Sequence, residues 1–126
     1  MLKDAPIVPY IPAADITRAR EFYEKKVGLV AKQVIADGVV YECAGGSWIF
    51  LYRSDGAGTS KASQAFWQVK DVEAEVDELR ARGVRFEEYD RPGLKTVNGI
   101  FSGGGSKAAW FRDSEGNIMA LIETVA

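Results

Sequence analysis

The period of the apolar positions changes several times along the chain, and each change marks an element. From Ala5 to Pro12 apolar residues run almost unbroken but include three prolines, which suits a strand at the edge or start of a sheet and excludes a helix. Asp15 then precedes Ile16, Ala19, Phe22, Tyr23 and Val27 at helical spacing, and Lys25-Lys26 followed by Gly28 closes the run. That pattern predicts a capped amphipathic helix. Three extended runs follow, Leu29 to Ile35, Val39 to Cys43 and Trp48 to Tyr52, separated by Asp37-Gly38 and Gly45-Gly46. These predict hairpin-connected strands. Ser54 to Ser60 is rich in Gly and Ser without periodicity and reads as a linker.

The same order then restarts. A strand over Gln64 to Val69 leads to Asp71 as a helix cap, with Val72, Val76 and Leu79 on one helical face and Gly83 at the end. Strands over Val84 to Tyr89, Lys107 to Arg112 and Asn117 to Glu123 complete the half. Asp15 and Asp71 lie 56 residues apart, Gly28 and Gly83 lie 55 apart, and Gly46-Ser47-Trp48 matches Gly116-Asn117-Ile118 at an offset of 70. A strand-helix-strand-strand-strand unit is therefore repeated once, with Arg91 to Ser106 as an insertion expected to form a long loop at a sheet margin. The reading is one domain over residues 1–126: module one at 1–55, a linker at 54–62, and module two at 63–126.

Composition narrows the chemistry. The chain has 126 residues, enough to bury a core without a staple, and 47% are apolar against 27% charged. Sixteen basic and eighteen acidic side chains leave a net charge of -2, so nucleic acid is not an expected partner. No apolar run is long enough to span a bilayer; no membrane association and a cytoplasmic location are expected. Cys43 is the sole cysteine and there is no histidine. Cys43 reads as a small half-buried apolar residue rather than a reactive thiol, and any chemistry must use carboxylates, amides, phenols or lysines.

Three strings point to a family. Asp15-Ile16-Thr17-Arg18-Ala19-Arg20-Glu21-Phe22-Tyr23, the turn Val27-Gly28-Leu29, and the hairpin Asp113-Ser114-Glu115-Gly116-Asn117 together resemble the vicinal-oxygen-chelate superfamily of glyoxalases, bleomycin-resistance proteins and extradiol dioxygenases. Ser114 stands where that family's hairpin usually has proline. The resemblance covers nearly the whole chain and implies an α+β fold: two tandem βαβββ modules forming a curled, cup-shaped mixed sheet with helices on the convex face.

In that family, metal enzymes place one ligand on each of four strands. The matching positions are Val8, Phe50, Gln64 and Ala120, of which Gln64 alone offers a donor; no metal and no cofactor are expected. Strand alternation assigns the cup lining: Val8 and Tyr10; Trp48, Phe50 and Tyr52; Gln64, Phe66 and Gln68; Ile118, Ala120 and Ile122. Trp110 and Arg112 are placed there too, in a register that the insertion disturbs. Ile7, Ile11, Ile49, Leu51, Trp67, Val69, Met119 and Leu121 are expected to pack against the helices.

Tyr10, Trp48, Phe50, Tyr52 and Phe66 would form an aromatic box in which each ring is worth roughly 0.5 to 1.5 kcal/mol to a planar or cationic molecule, with Gln64 and Gln68 orienting it. The alternative is that these rings fill a small core. Glu87, Glu88 and Asp90 read as a solvated acidic face on an edge strand. Lys95, Asn98 and Gly103 to Gly105 read either as a lid or as a loop without a role. Of Glu42 and Glu123, the carboxylates nearest the cup, Glu123 is expected to face the helices or the rim, so no acid-base pair is visible.

The preferred reading is a metal-independent protein that sequesters an aromatic or cationic organic molecule, as a homodimer with sites shared between subunits. Two alternatives stand beside it. One is a glyoxalase- or dioxygenase-type lyase, isomerase or oxygenase with an atypical metal site; the other is a protein-interaction module.

Overall fold

Residues 1–124 are described by the computed structural model, in which the sequence pattern folds into two copies of one unit. The first contains β1 (Tyr10–Ala13), α1 (Ile16–Glu21), β2 (Ala31–Ile35), β3 (Gly38–Glu42) and β4 (Trp48–Arg53). The second contains β5 (Phe66–Gln68), α2 (Val72–Ala81), the short hairpin β6 (Asp90–Arg91) and β7 (Leu94–Lys95), then β8 (Ile100–Gly103), β9 (Ser106–Arg112) and β10 (Ile118–Thr124). Their sheets have orders β1-β4-β3-β2 and β5-β10-β9-β8. The first strand of each is parallel to the last, and the other pairs are antiparallel. The fold is α+β with two βαβββ modules, and its sheets are mixed and not closed into a barrel.

Each helix begins on an aspartate. Asp15 accepts a hydrogen bond from the Arg18 N–H at 3.0 Å and Asp71 from the Ala74 N–H at 3.1 Å, satisfying donors that a helix start leaves free. The first helical segment carries one residue more than the second between its cap and its closing glycine. A π-helical turn over Phe22–Lys26 absorbs it, and Phe22 and Tyr23 both enter the core.

Strand alternation sends Ile11, Val39, Tyr41, Ile49 and Leu51 of the first sheet, and Phe111, Met119 and Leu121 of the second, toward the helices. There they join Ala19, Tyr23, Val72, Val76 and Leu79 in one buried cluster. Ile7 does not follow: it lies before β1 and is 96% exposed. The first strand starts at Tyr10 rather than Ala5, because Leu2–Asp4 forms a single 3-10 turn and the prolines leave few N–H donors for a ladder. Among the described residues, no helix is long and apolar enough to cross a membrane.

The outer strand of the second sheet departs from expectation. Val84 to Tyr89 contributes a single bridge, Phe86 to Phe111, and β8, from the segment expected to be a loop, pairs with the rest of β9. The insertion is thus two hairpins, not a long loop. Glu88 holds its base: one carboxylate oxygen accepts from the Thr96 hydroxyl at 2.6 Å and the Gly99 N–H at 2.7 Å. Glu87 meanwhile pairs with Arg112 at 2.6 Å, so the acidic trio is not one solvated edge.

A polar knot ties module two to α1. The Glu115 side chain is fully buried and takes a two-pronged hydrogen bond from Arg18 at 2.8 and 2.9 Å, and its Oε1 also accepts from the Asp15 N–H at 2.9 Å. Beside it the Tyr23 hydroxyl donates to Asp113 at 2.6 Å, and the Asn117 amide donates to the Pro12 carbonyl at 2.7 Å. Burial works to raise the Glu115 pKa, but Arg18, the Asp15 N–H and the Ser114 hydroxyl outweigh it and lower it to about 2. Burial, with the Asp113 carboxylate adding to it, pushes the Tyr23 phenol well above its ordinary value, so it stays a donor.

A depressed carboxylate stabilises the fold above its unfolded pKa of about 4.3, and loses that contribution as pH falls toward 2. Because Arg18 is half exposed, the contribution is on the order of 1–3 kcal/mol. In urea titrations, Glu115→Gln is expected to lower stability by that amount at pH 7 and to flatten its dependence between pH 5 and 2. Parallel pH curves for the two proteins would refute the assignment.

Candidate functional site

The faces that point away from the helices carry the aromatic side chains. On the first sheet the ladder sets Tyr10 beside Phe50 and Val40 on Phe50's other side, with Glu42 beside Trp48. The Tyr10 and Tyr52 rings stack at 3.6 Å and 22°, and Phe50 meets Tyr10 edge-on at 5.6 Å. Tyr10 is 60% exposed and Trp48 41%. These rings are therefore not core filling. Lys32 lies 5.2 Å over the Trp48 ring and forms an ion pair with Glu42.

The second sheet presents Phe66, Gln68, Ile118, Ala120, Trp110 and Arg112 on the corresponding face, since Ala120 is opposite both Phe66 and Trp110, and Ile118 is opposite Arg112. Phe66 is 57% exposed, whereas Ile118 and Ala120 are buried. Two rings here were outside the sequence expectation. Tyr89 packs edge-on against Trp110 at 5.5 Å, and Phe101 lies 6.5 Å from it. Phe101 lies in the Gly-rich insertion expected to be a loop, and Tyr89, at the end of the expected Val84 to Tyr89 strand, is out of step with Val84 and Phe86, so neither was placed beside Trp110. Arg112 is engaged by Glu87 and by the Gly116 carbonyl at 3.1 Å.

The site residues expected from sequence therefore fall in two groups, one per sheet. Trp48 and Phe66 both line a hollow of about 110 Å³ together with Pro9, Cys43, Ser47 and Trp67; Cys43 is half-buried there. Gln64 is exposed, and its amide donates to the Ala62 carbonyl at 3.3 Å. Gln68 is exposed at the sheet edge. Lys95 and Asn98 do not overhang these aromatic faces. They line a polar hollow with Glu73, Asp77 and Arg80 of α2, and the Asn98 carbonyl accepts from Arg80 at 2.8 Å. Gly104 and Gly105 form the turn between β8 and β9.

A metal in the manner of the resembling enzymes would need donors from Val8, Phe50, Gln64 and Ala120. A valine, a phenyl ring and a methyl group have no lone pair to give. Among the described residues no three of His, Cys, Asp and Glu converge on a point. The donor set does not fit a metal, and no step is derived through one.

A family model described as the Glyoxalase/Bleomycin resistance protein/Dioxygenase superfamily matches residues 6–121. Among solved structures, UcmS2 superposes with a TM-score of 0.74 at 18% identity, covering 91% of this chain and 94% of that one. TnmS3, an antibiotic binding protein from Streptomyces sp. CB03234, gives 0.64 at 23% identity, covering 93% of each chain. A lactoylglutathione lyase from Agrobacterium tumefaciens gives 0.66 at 22% identity, with 94% and 92% covered. At these identities the likeness shows the fold alone. Against curated proteins the sequence has no significant match.

One residue that sequence reading used only as a turn marker shapes the first aromatic face. A Cβ on Gly38 would come within 2.8 Å of the Phe50 ring and 3.0 Å of the Leu51 carbonyl, so Phe50 lies where it does because position 38 has no side chain. Gly38→Ala is expected to cost about 1–2 kcal/mol and to turn the Phe50 ring away from Tyr10. Proton NMR reads this as loss of contacts between those two rings; unchanged ring contacts would show that Gly38 does not set the face.

Proposed function

Since this chain belongs to the Glyoxalase/Bleomycin resistance protein/Dioxygenase superfamily, we propose that it is a metal-independent binding protein that sequesters an aromatic or cationic organic molecule. The observation that carries the reading is the exposed aromatic face, Tyr10, Trp48, Phe50 and Tyr52 on one sheet and Phe66 with Trp110 on the other. Of the four positions where an enzyme of this family would hold its metal, one carries a ring, Phe50, two are the apolar Val8 and Ala120, and Gln64 alone has a donor. An open face of this kind gains free energy when a flat molecule covers it, by area and by stacking.

The charges beside the rings favour an aromatic over an ionic recognition. Lys32 is paired with Glu42, and Arg112 with Glu87, so neither sign is left free to select a counter-charge. The description of TnmS3 as an antibiotic binding protein is consistent with this fold serving such a role. The high exposure of Tyr10 and Phe66 supports a homodimer in which a module of each subunit helps to enclose the ligand.

A titration against a panel of planar aromatic and quaternary ammonium compounds, followed by tryptophan fluorescence and calorimetry, tests the proposal. Trp48→Ala and Phe66→Ala are each expected to weaken the best binder about tenfold, the equivalent of one lost ring contact near 1.4 kcal/mol. The urea midpoint should barely move, and Lys61→Ala in the exposed linker should bind normally. Equal losses in all three variants, or stoichiometric metal retained by protein purified without chelators, would overturn it.

A further inference from the structure

The two modules share one sheet order, but the hairpins that lead into their last strands differ in the side chains they carry. Both hairpins that follow the third strand of a module close with the same bond, Cys43 N–H to the Ser47 carbonyl at 2.7 Å and Asp113 N–H to the Asn117 carbonyl at 2.9 Å. The second hairpin carries Asp113, Glu115 and Asn117 and clamps onto α1 and β1. The first has Cys43, Gly45 and Ser47 at the equivalent positions and no carboxylate with which to hold α2. A Cβ added at Gly45 or Gly46 would meet nothing within 4 Å, whereas one at Gly116 would reach the Gly58 backbone at 3.2 Å. One hairpin is clamped to a helix by its acids and the other has no such clamp.

Burial follows the same asymmetry. Under the docked hairpin, Ile11, Ala13, Ala19, Tyr23 and Tyr41 are at most 1% exposed. Their counterparts in module two are Trp67, Val69, Glu75, Leu79 and Phe111; Leu79 and Phe111 are buried, but Trp67 and Val69 are only half-buried and Glu75 is exposed. What the clamp seals in one module is left in the other as a hollow of about 220 Å³, lined chiefly by the apolar Val27, Leu29, Trp67, Val69 and Leu79, with Gln68 and Glu75 as its polar members. This hollow lies mainly on the helix side of β5, and shares only Gln68 with the face that carries Phe66.

We propose that this hollow is a second ligand site, for a compact neutral aromatic molecule of one or two fused rings bearing an N–H. Its size fits, since an apolar cavity of about 150 Å³ accepts benzene. Its wall fits, since Trp67 lies nearly parallel to the buried Phe111, at 6.1 Å and 16°, and its own half-exposed ring offers a flat surface for a ligand ring. Glu75, an exposed residue of the lining, accepts an N–H and repels an anion.

Methyl-detected NMR with indole as the probe tests the site independently of the proposed aromatic cup. Saturable shifts are expected on Val27, Leu29, Val69, Leu79 and Leu121 and not on Val40 or Ile122. Benzoate should give none until Glu75→Gln removes the repelling charge. Val69→Phe, at a half-exposed position that tolerates bulk, fills the hollow and should weaken indole at least tenfold. Trp48→Ala should leave it unchanged. Shifts confined to Val40 and Ile122, the absence of saturation, or unaltered indole binding by Val69→Phe would each overturn the proposal.

Discussion

The Glu115 carboxylate, buried between Arg18 and the start of α1, is the interaction on which the arrangement of the two modules depends. A buried ion pair is a poor source of stability when any of its hydrogen-bonding capacity is left unmet. Here Arg18, the Asp15 N–H and the Ser114 hydroxyl share its two oxygens, while Asp113 takes the Glu115 N–H, the Asn117 N–H and the Tyr23 hydroxyl. Among the described residues no buried side-chain nitrogen or oxygen lacks a partner. Such a knot is strongly directional. Apolar contact between Phe22 and Phe111 would tolerate sliding by a residue; the polar groups would not.

Where periodicity was unbroken, the sequence described the fold closely. Asp15 and Asp71 mark both helix starts, and alternation along β4 and β10 sorts Leu51, Met119 and Leu121 from Phe50 and Ala120 correctly by face. It failed where two segments share one strand position. Beside β9, Phe86 occupies one end and β8 the other, so the strand expected over Val84 to Tyr89 supplies a single bridge and the expected loop supplies a strand. Gly99 and Gly103 made the β8 segment read as loop, and Tyr89 is out of step with Val84 and Phe86, so neither Phe101 nor Tyr89 was seen as a neighbour of Trp110. The exposure of Ile7 was hidden for a related reason. An apolar run resembles a strand whether or not a partner strand is present to bury it.

The candidate site was legible as a set of residue types before it was legible as a place. The absence of histidine and the apolar nature of positions 8, 50 and 120 follow from the chain itself. That Arg112 is held by Glu87 and Lys32 by Glu42 does not, because each pair joins residues on different strands. These pairings matter for chemistry. Aromatic faces flanked by free cations would attract anionic ligands, but with the charges paired, discrimination falls to shape, stacking and the phenols of Tyr10 and Tyr52.

Repetition of a module also sets a physical problem, since each copy must cover the helix side of its sheet. In one copy a docked hairpin does so, with acids that find Arg18, Tyr23 and a helix start. In the other, Gly45 and Gly46 give a hairpin without side chains to reach α2, and Trp67, Val69 and Leu29 remain half-covered. Tryptophan is well suited to such a position, being large enough to roof Phe111 from one side while its outer face stays wet. A uniform repeat would have closed both ends of the molecule equally. By confining the acids to one hairpin, the sequence makes one end rigid and leaves the other accessible, so identical topology presents two chemically different surfaces.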